Sequence, residues 1–353
     1  MNWLVWKQHR KLFVILAGVL MLYAALAIPM GLHAWHMYQH ALAACGKTNS
    51  CSQLSNNLVW SGWTSSVNPN SGHGAPLLLF LPFLLGMFVG APLIAREYNE
   101  KTNLLVWTRS ISRRKWLTTK LVWILIATAL FAGTLTALAT WWSRAGDALY
   151  LNRFTVLMFD TQGIAPIGFA VFAISIGIAL GAWLKRTMVA IGLTLALVLA
   201  AQIVIGNHVR PHYMAPLTKD IVTSQLGPEF DTGQAPKGAW IFSSKIENNA
   251  GQTLSWTNPP EQCVIPQADL PGNSEESLAS AKAALRAAGQ IISVNGGPNV
   301  GANCLVSAGY HYVIKYQPAS RYWDFQRIEL GLYLALSVIP IGATYWLILK
   351  RDA

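Results

Sequence analysis

The chain has 353 residues, is 53% hydrophobic and 12% charged, and carries 15 Trp with a formal net charge of +11. So apolar a composition excludes a water-soluble fold. The basic excess is distributed as a membrane-topology signal, which excludes a nucleic-acid-binding role.

Crossing about 30 Å of hydrocarbon takes roughly 20 apolar residues. Six windows qualify: 12–34, 76–95, 119–142, 163–184, 187–206 and 328–349. The first is read as a retained span, because it is long, lacks a small-residue cleavage site and is followed by five more. At its far end HAWHMYQH sets His33, His36 and His40 on one helical face, and His208 with His212 follows i, i+4 near the end of the fifth window. No carboxylate is spaced to complete a metal site, so these read as interfacial rings and no metal is assigned. The nearby CGKTNS ends like a phosphate loop, but Ala41 stands where the first Gly of that loop belongs, so no nucleotide site is assigned.

Between the second and third windows lies AREYNEKTNLLVWTRSISRRKWLTTKL, Ala95 to Leu121. EYNEKTNLLVWTR suits an amphipathic helix, with Leu104, Leu105 and Trp107 as its apolar surface and Glu97, Glu100 and Lys101 as its polar one. Ser110 or Ser112 then caps a new helix rising into the third span. A short helix joined at both ends to membrane spans has the form of a coupling element. The competing reading is a basic strip resting on anionic lipid.

The spans hold no ionisable residue near their centres, which argues against ion-driven pumping. Gln202 and Thr128, Thr134, Thr136 and Thr140 are expected to bond backbone carbonyls or neighbouring helices. Pro29, Pro82, Pro92, Pro166 and Pro340 offer kinks, and Gly86 with Gly90 and Gly177 with Gly181 have small-xxx-small spacing. No nucleophile, base and orienting group fall together, so no catalytic site is assigned.

From 207 to 327 the chain turns polar and rich in Pro, Gly and Asn. NSEESLASAKAALRAAG reads as a capped helix, and CLVSAGYHYVIKYQP as one or two strands. The expected fold is an all-α polytopic membrane protein: six transmembrane helices, a cytoplasmic coupling helix and a small mixed α/β extracellular domain. Residues 1–206 hold spans one to five with the coupling segment 95–118, residues 207–327 the outer domain, and residues 328–353 the last span and tail.

On this layout 14 Lys and Arg against three acids lie on the side that holds the termini, a net +11. That places both termini in the cytoplasm of a plasma-membrane protein. Cys45, Cys51, Cys263 and Cys304 then all face the oxidising side, where disulfides persist. Four cysteines allow three pairings; the local one, Cys45 with Cys51 and Cys263 with Cys304, is favoured.

GAPLIAREYNEKTNLLVWTRSISRRKWLTTKL resembles the segment between the second and third spans of type-2 ATP-binding cassette (ABC) exporter permeases, especially an actinobacterial subgroup. Ala95, Arg96, Glu97, Thr102, Trp107, Thr108, Ser112, Arg113 and Trp116 match the pattern, while Lys101 stands where Gly is usual and Asn99 where a second acid is frequent. WKQHR and YQPASRYWDFQRIE are similar to the same subgroup. The resemblance implies a permease that binds no cofactor itself, works as a pair, most simply a homodimer, and joins two copies of a separate cassette ATPase holding ATP and Mg²⁺. It implies an ATPase-coupling interface of Arg96, Glu97, Tyr98, Thr102, Trp107, Ser112, Arg113 and Trp116. The alternative function is a non-transporting sensor or immunity component whose outer domain binds an extracellular ligand or peptide.

Overall fold

A computed structural model describes residues 2–45, 75–100, 112–148, 152–222, 236, 238–255, 259–265, 291–292 and 299–351. The chain divides into two units, Met1–Met214 with Ser320–Ala353, and Ala215–Ala319. The ends of the polar stretch, 207–214 and 320–327, therefore belong to the helical unit.

The helical unit consists of α1 (Asn2–Cys45), α2 (Ala75–Leu85), α3 (Ala91–Asn99), α4 (Arg113–Ala148), the single turn α5 (Val156–Phe159), α6 (Ala165–Leu184), α7 (Thr187–Val204) and α9 (Tyr322–Trp346). A π turn, Gly86–Gly90, joins α2 to α3, so the two make one span. Among the described residues six helices are long and apolar enough to cross a membrane, and the protein is a polytopic helical membrane protein.

The most embedded helix is α6, with 72% of its apolar window buried, against 6% for that of α1. Gly residues explain how α6 packs so closely. A Cβ placed on Gly86 would come 2.8 Å from the carbonyl oxygen of Ala173, and one on Gly90 would come 2.7 Å from that of Ile174. On the other side Gly177 and Gly181 meet the backbone of Gly86 and Ala91. The two small-xxx-small pairs thus face each other, and two backbones approach where larger residues would hold them apart. Leu117, Ile124, Ile174 and Ile348 fill the core around them.

The Thr hydroxyls behave as expected. Those of Thr128, Thr134, Thr136 and Thr140 donate to carbonyls three or four residues back. Pro166 starts α6 instead of bending it, as suits a residue with no amide hydrogen.

Among its described residues the second unit holds two antiparallel three-stranded sheets. One has the order β1 (Leu217–Val222), β6 (His311–Gln317), β2 (Trp240–Glu247); the other has the order β3 (Val264–Ile265), β5 (Asn299–Gly301), β4 (Ile291–Ile292). Ile246, Leu254, Cys263, Val300, Leu305, Tyr312 and Ile314 form its core. A disulfide joins Cys263 to Cys304, with Cα atoms 5.4 Å apart. Cys45 ends α1, while Cys51 lies outside the described residues, as does the helix expected over 273–289.

The stretch CLVSAGYHYVIKYQP is only half strand. Ala302–Ser307 form a short helix, α8, and β6 starts at His311 after a turn in which Gly309 takes φ +76°. β-Branched and aromatic residues concentrate only from Tyr310 onward, so the strand signal belongs to that half.

Candidate functional site

Polar groups gather at the two opposite ends of the bundle. At one end the chain leaves α3 at Asn99 and re-enters α4 at Arg113, bracketing residues 101–111, which lie outside the described residues with Thr102 and Trp107 among them. Arg96 is exposed and pairs with Glu100 at 2.6 Å. Glu97 turns the other way. It is buried, and its carboxylate pairs with the ammonium of Lys120 from α4, which also donates to the carbonyl of Leu93 at 3.1 Å. The polar surface expected of Glu97 is thus internal, because about two turns into α4 a cation is placed to receive it.

The neighbouring side chains reach other elements. The ring of Tyr98 lies 4.7 Å from the Lys185 ammonium, and Asn99 Nδ2 donates to the Thr187 hydroxyl at 3.0 Å. Lys185 is the left-handed cap of α6, φ 54°, in the short link to α7. On the α4 side the Ser112 hydroxyl accepts from the Lys115 amide at 3.4 Å, capping the helix. Arg113 is half-buried, and Trp116 is buried in the core with its ring 5.4 Å from the Lys120 ammonium. Finally Tyr345 of α9 donates to Thr118 at 2.8 Å. Short side-chain contacts therefore connect the boundaries of 101–111 to α4, α7, α9 and the α6 cap.

The other end holds a cluster that the sequence pattern left unassigned. Arg210 closes span five after a π turn, Ile205–Val209; such a turn adds one residue and rotates the helix beyond it by about 100°. Its guanidinium donates to both carboxylate oxygens of Glu329, at 2.8 and 2.6 Å, and also to Asp160. All three side chains are at most 5% exposed. The Phe159 ring lies 4.1 Å from the guanidinium carbon. Gln202 donates to the second Asp160 oxygen at 2.6 Å, Tyr333 donates to Gln202 at 2.8 Å, and Tyr213 donates to Glu329 at 3.1 Å.

Gln326 fixes the loop that carries Asp160. Its Oε1 accepts from the amides of Ile164 and Ala165 at 2.9 and 2.7 Å, capping α6, while its Nε2 donates to the Phe159 carbonyl at 3.0 Å. Burial pushes the Asp160 carboxyl up to about 6, with Arg210 opposing and Glu329 adding to the rise. Burial raises the Tyr213 phenol as well.

No ionisable residue lies near a span centre in either cluster, but each is buried at a span end, where a window average hides it. The readable signal was Glu329, an acid set in the apolar start of the last span and in need of a partner. Among the described residues no group of three or more His, Cys, Asp or Glu is placed to hold a metal. The ring of His212 bonds the His208 carbonyl.

No curated protein and no solved structure matches the chain. Residues 17–210, more than half of it, match the family described as ABC-2 membrane transporter related. The six apolar helices and the tightly packed α3 to α7 region all bear on that match, and the chain belongs to the ABC-2 membrane transporter related family, as a membrane subunit of the transporter permease kind.

Proposed function

We propose that this protein is the permease half of an ABC exporter of the actinobacterial-like subgroup, working as a homodimer with two copies of a separate cassette ATPase. The ATPase binds ATP and Mg²⁺; this chain forms the pathway for an amphiphilic or apolar substrate. The termini and the strip 95–118 face the cytoplasm, and the second unit faces outward. Two features support that orientation: the net positive charge of the strip side, and the Cys263 to Cys304 disulfide, which suits an oxidising compartment.

The observation that carries the reading is the anchoring of both boundaries of 101–111 within the bundle, through Glu97 with Lys120 and through Trp116. A push on such a strip moves spans and not merely a loop. Glu97 and Trp116 are positioning residues here; Arg96, Tyr98, Thr102, Trp107, Ser112 and Arg113 meet the ATPase, with Trp107 as the apolar anchor.

The test is affinity purification of the full chain from its native membranes in mild detergent. A cassette ATPase is expected to co-purify, and Trp107→Ala to weaken its retention by about 30-fold, the equivalent of roughly 2 kcal/mol at an aromatic anchor. Retention that ignores Trp107→Ala and follows only the summed charge of Arg113, Arg114 and Lys115 makes the strip a lipid anchor, and the reading fails.

A further inference from the structure

The Asp160, Arg210 and Glu329 cluster sets two carboxylates against one guanidinium with all three side chains buried, a net charge of −1 out of water. Burying an excess charge is costly, and the commonest relief is a proton. The two acids are not equally supported. Glu329 accepts from Nε and Nη2 of Arg210 and from the Tyr213 hydroxyl. Asp160 has one Arg210 nitrogen and the Gln202 amide. The small cavity it lines is walled, from α2, α4 and α6, by uncharged residues that include Leu78, Pro82, Leu135, Thr136 and Pro166. Asp160 is the acid with less to lose by protonation.

We propose that Asp160, Gln202 and Tyr333 form a proton-binding site, in which a proton from solvent bonds to Asp160 Oδ2 and the Gln202 amide turns over to accept it. In the charged form the hydrogen bonds run one way: the Tyr333 hydroxyl donates to Gln202 Oε1, and Gln202 Nε2 donates to Asp160 Oδ2. A hydrogen on Oδ2 would face that amide nitrogen, donor against donor. Rotating the amide by a half turn removes the conflict. Oδ2–H then donates to Gln202 Oε1, and Gln202 Nε2 donates to the Tyr333 oxygen, whose own hydrogen gives up Gln202 as its acceptor in exchange.

The cluster goes from −1 to neutral, with no other group gaining or losing a proton. Arg210 keeps both bonds to Glu329, while its bond to Asp160 changes from an ion pair to a bond onto a neutral acid, which is weaker. Protonation therefore weakens the tie of the α5 loop to Arg210, keeps its bond to Gln202, and leaves spans five and six joined. The upward displacement of the Asp160 carboxyl by burial agrees with this.

The experiment is infrared difference spectroscopy of the purified full chain between about pH 4 and about pH 8, a range that covers perturbed carboxyl groups. A protonated-carboxyl band is expected with a midpoint near 6, together with a shift of the glutamine amide band that Gln202→Met removes. Asp160→Asn should abolish the carboxyl band. Glu329→Gln removes the like charge and should move the midpoint acid-ward by about one pH unit or more. A band unchanged in Asp160→Asn, or a wild-type protein without the band, overturns the proposal. If Asp160→Asn cannot be purified, Glu329→Gln decides: a midpoint that stays in place overturns it.

Discussion

Gly177 packs directly on the backbone of the second span, where a methyl group added to it would strike the Gly86 carbonyl and come 2.8 Å from the amide nitrogen of Ala91. Both obstacles are backbone, so neither can swing away. Gly177→Ala should cost about 1–3 kcal/mol, as overpacking does. Gly192, in α7, has nothing within 4 Å of an added Cβ, and Gly192→Ala should be neutral or slightly stabilising. Thermal unfolding of the two variants in the same detergent makes the comparison.

The Glu97 and Lys120 pair predicts a strongly non-additive result. Lys120→Met takes the ammonium away from a buried carboxylate, and losing one partner of a buried pair costs about 3–5 kcal/mol. Adding Glu97→Gln to that variant should recover most of the loss, since a neutral pair has little desolvation to repay. A double-mutant cycle measured by detergent unfolding reads the coupling; simple additivity would show that the pair does not act as a unit.

Asp160 gives a pH dependence of definite sign. Its carboxyl titrates near 3.8 when unfolded and near 6 in place, so between those values the folded chain holds a proton that the unfolded chain has released. Stability from this group therefore falls as pH rises across that window and is level above it. The difference in unfolding temperature between wild type and Asp160→Asn should decline from about pH 4 to about pH 6 and then flatten. A difference that grows with pH would contradict the assignment.

The Cys263 to Cys304 bond closes 41 residues of chain. Loop closure of that length is worth about 4 kcal/mol on the chain-entropy account. Cys304→Ser should accordingly make the second unit sensitive to protease while the helical unit keeps its unfolding temperature. Peptide mapping without reductant should recover Cys263 joined to Cys304; a peptide joining Cys51 to Cys263 would exclude the local pairing.

All six spans were readable because hydropathy over 20 residues is a sum, and sums tolerate local exceptions. The exceptions carry the site. Lys120 counts as one more basic residue at a membrane edge until Glu97 is seen to face it, and only the packing of α3 on α4 brings the two together. Arg210 reads as the polar end of span five, and Asp160 and Glu329 lie 50 and 119 residues from it along the chain. No periodicity links positions so far apart. Gln326 is similar: a glutamine at the start of a span gives no hint that it caps a different helix. The small-xxx-small pairs were visible as a pattern, but that the two face each other is seen only where α6 packs on the second span.

The sparse packing of α1 bears on how the protein is made. Its principal neighbour is α4, against which Leu12, Leu16, Leu20 and Tyr23 lie. Synthesis delivers α1 before α4, with a span and loops between them. In that interval the newborn helix lacks its principal neighbour, and its hydropathy of 2.5 holds it in lipid. By contrast α6, delivered when three spans are already in place, can carry seams of glycine that would give a solitary helix little to hold. Span two, half of whose apolar window is buried, emerges in between, and its own glycine face at Gly86 and Gly90 stays open to lipid until α6 arrives to close it.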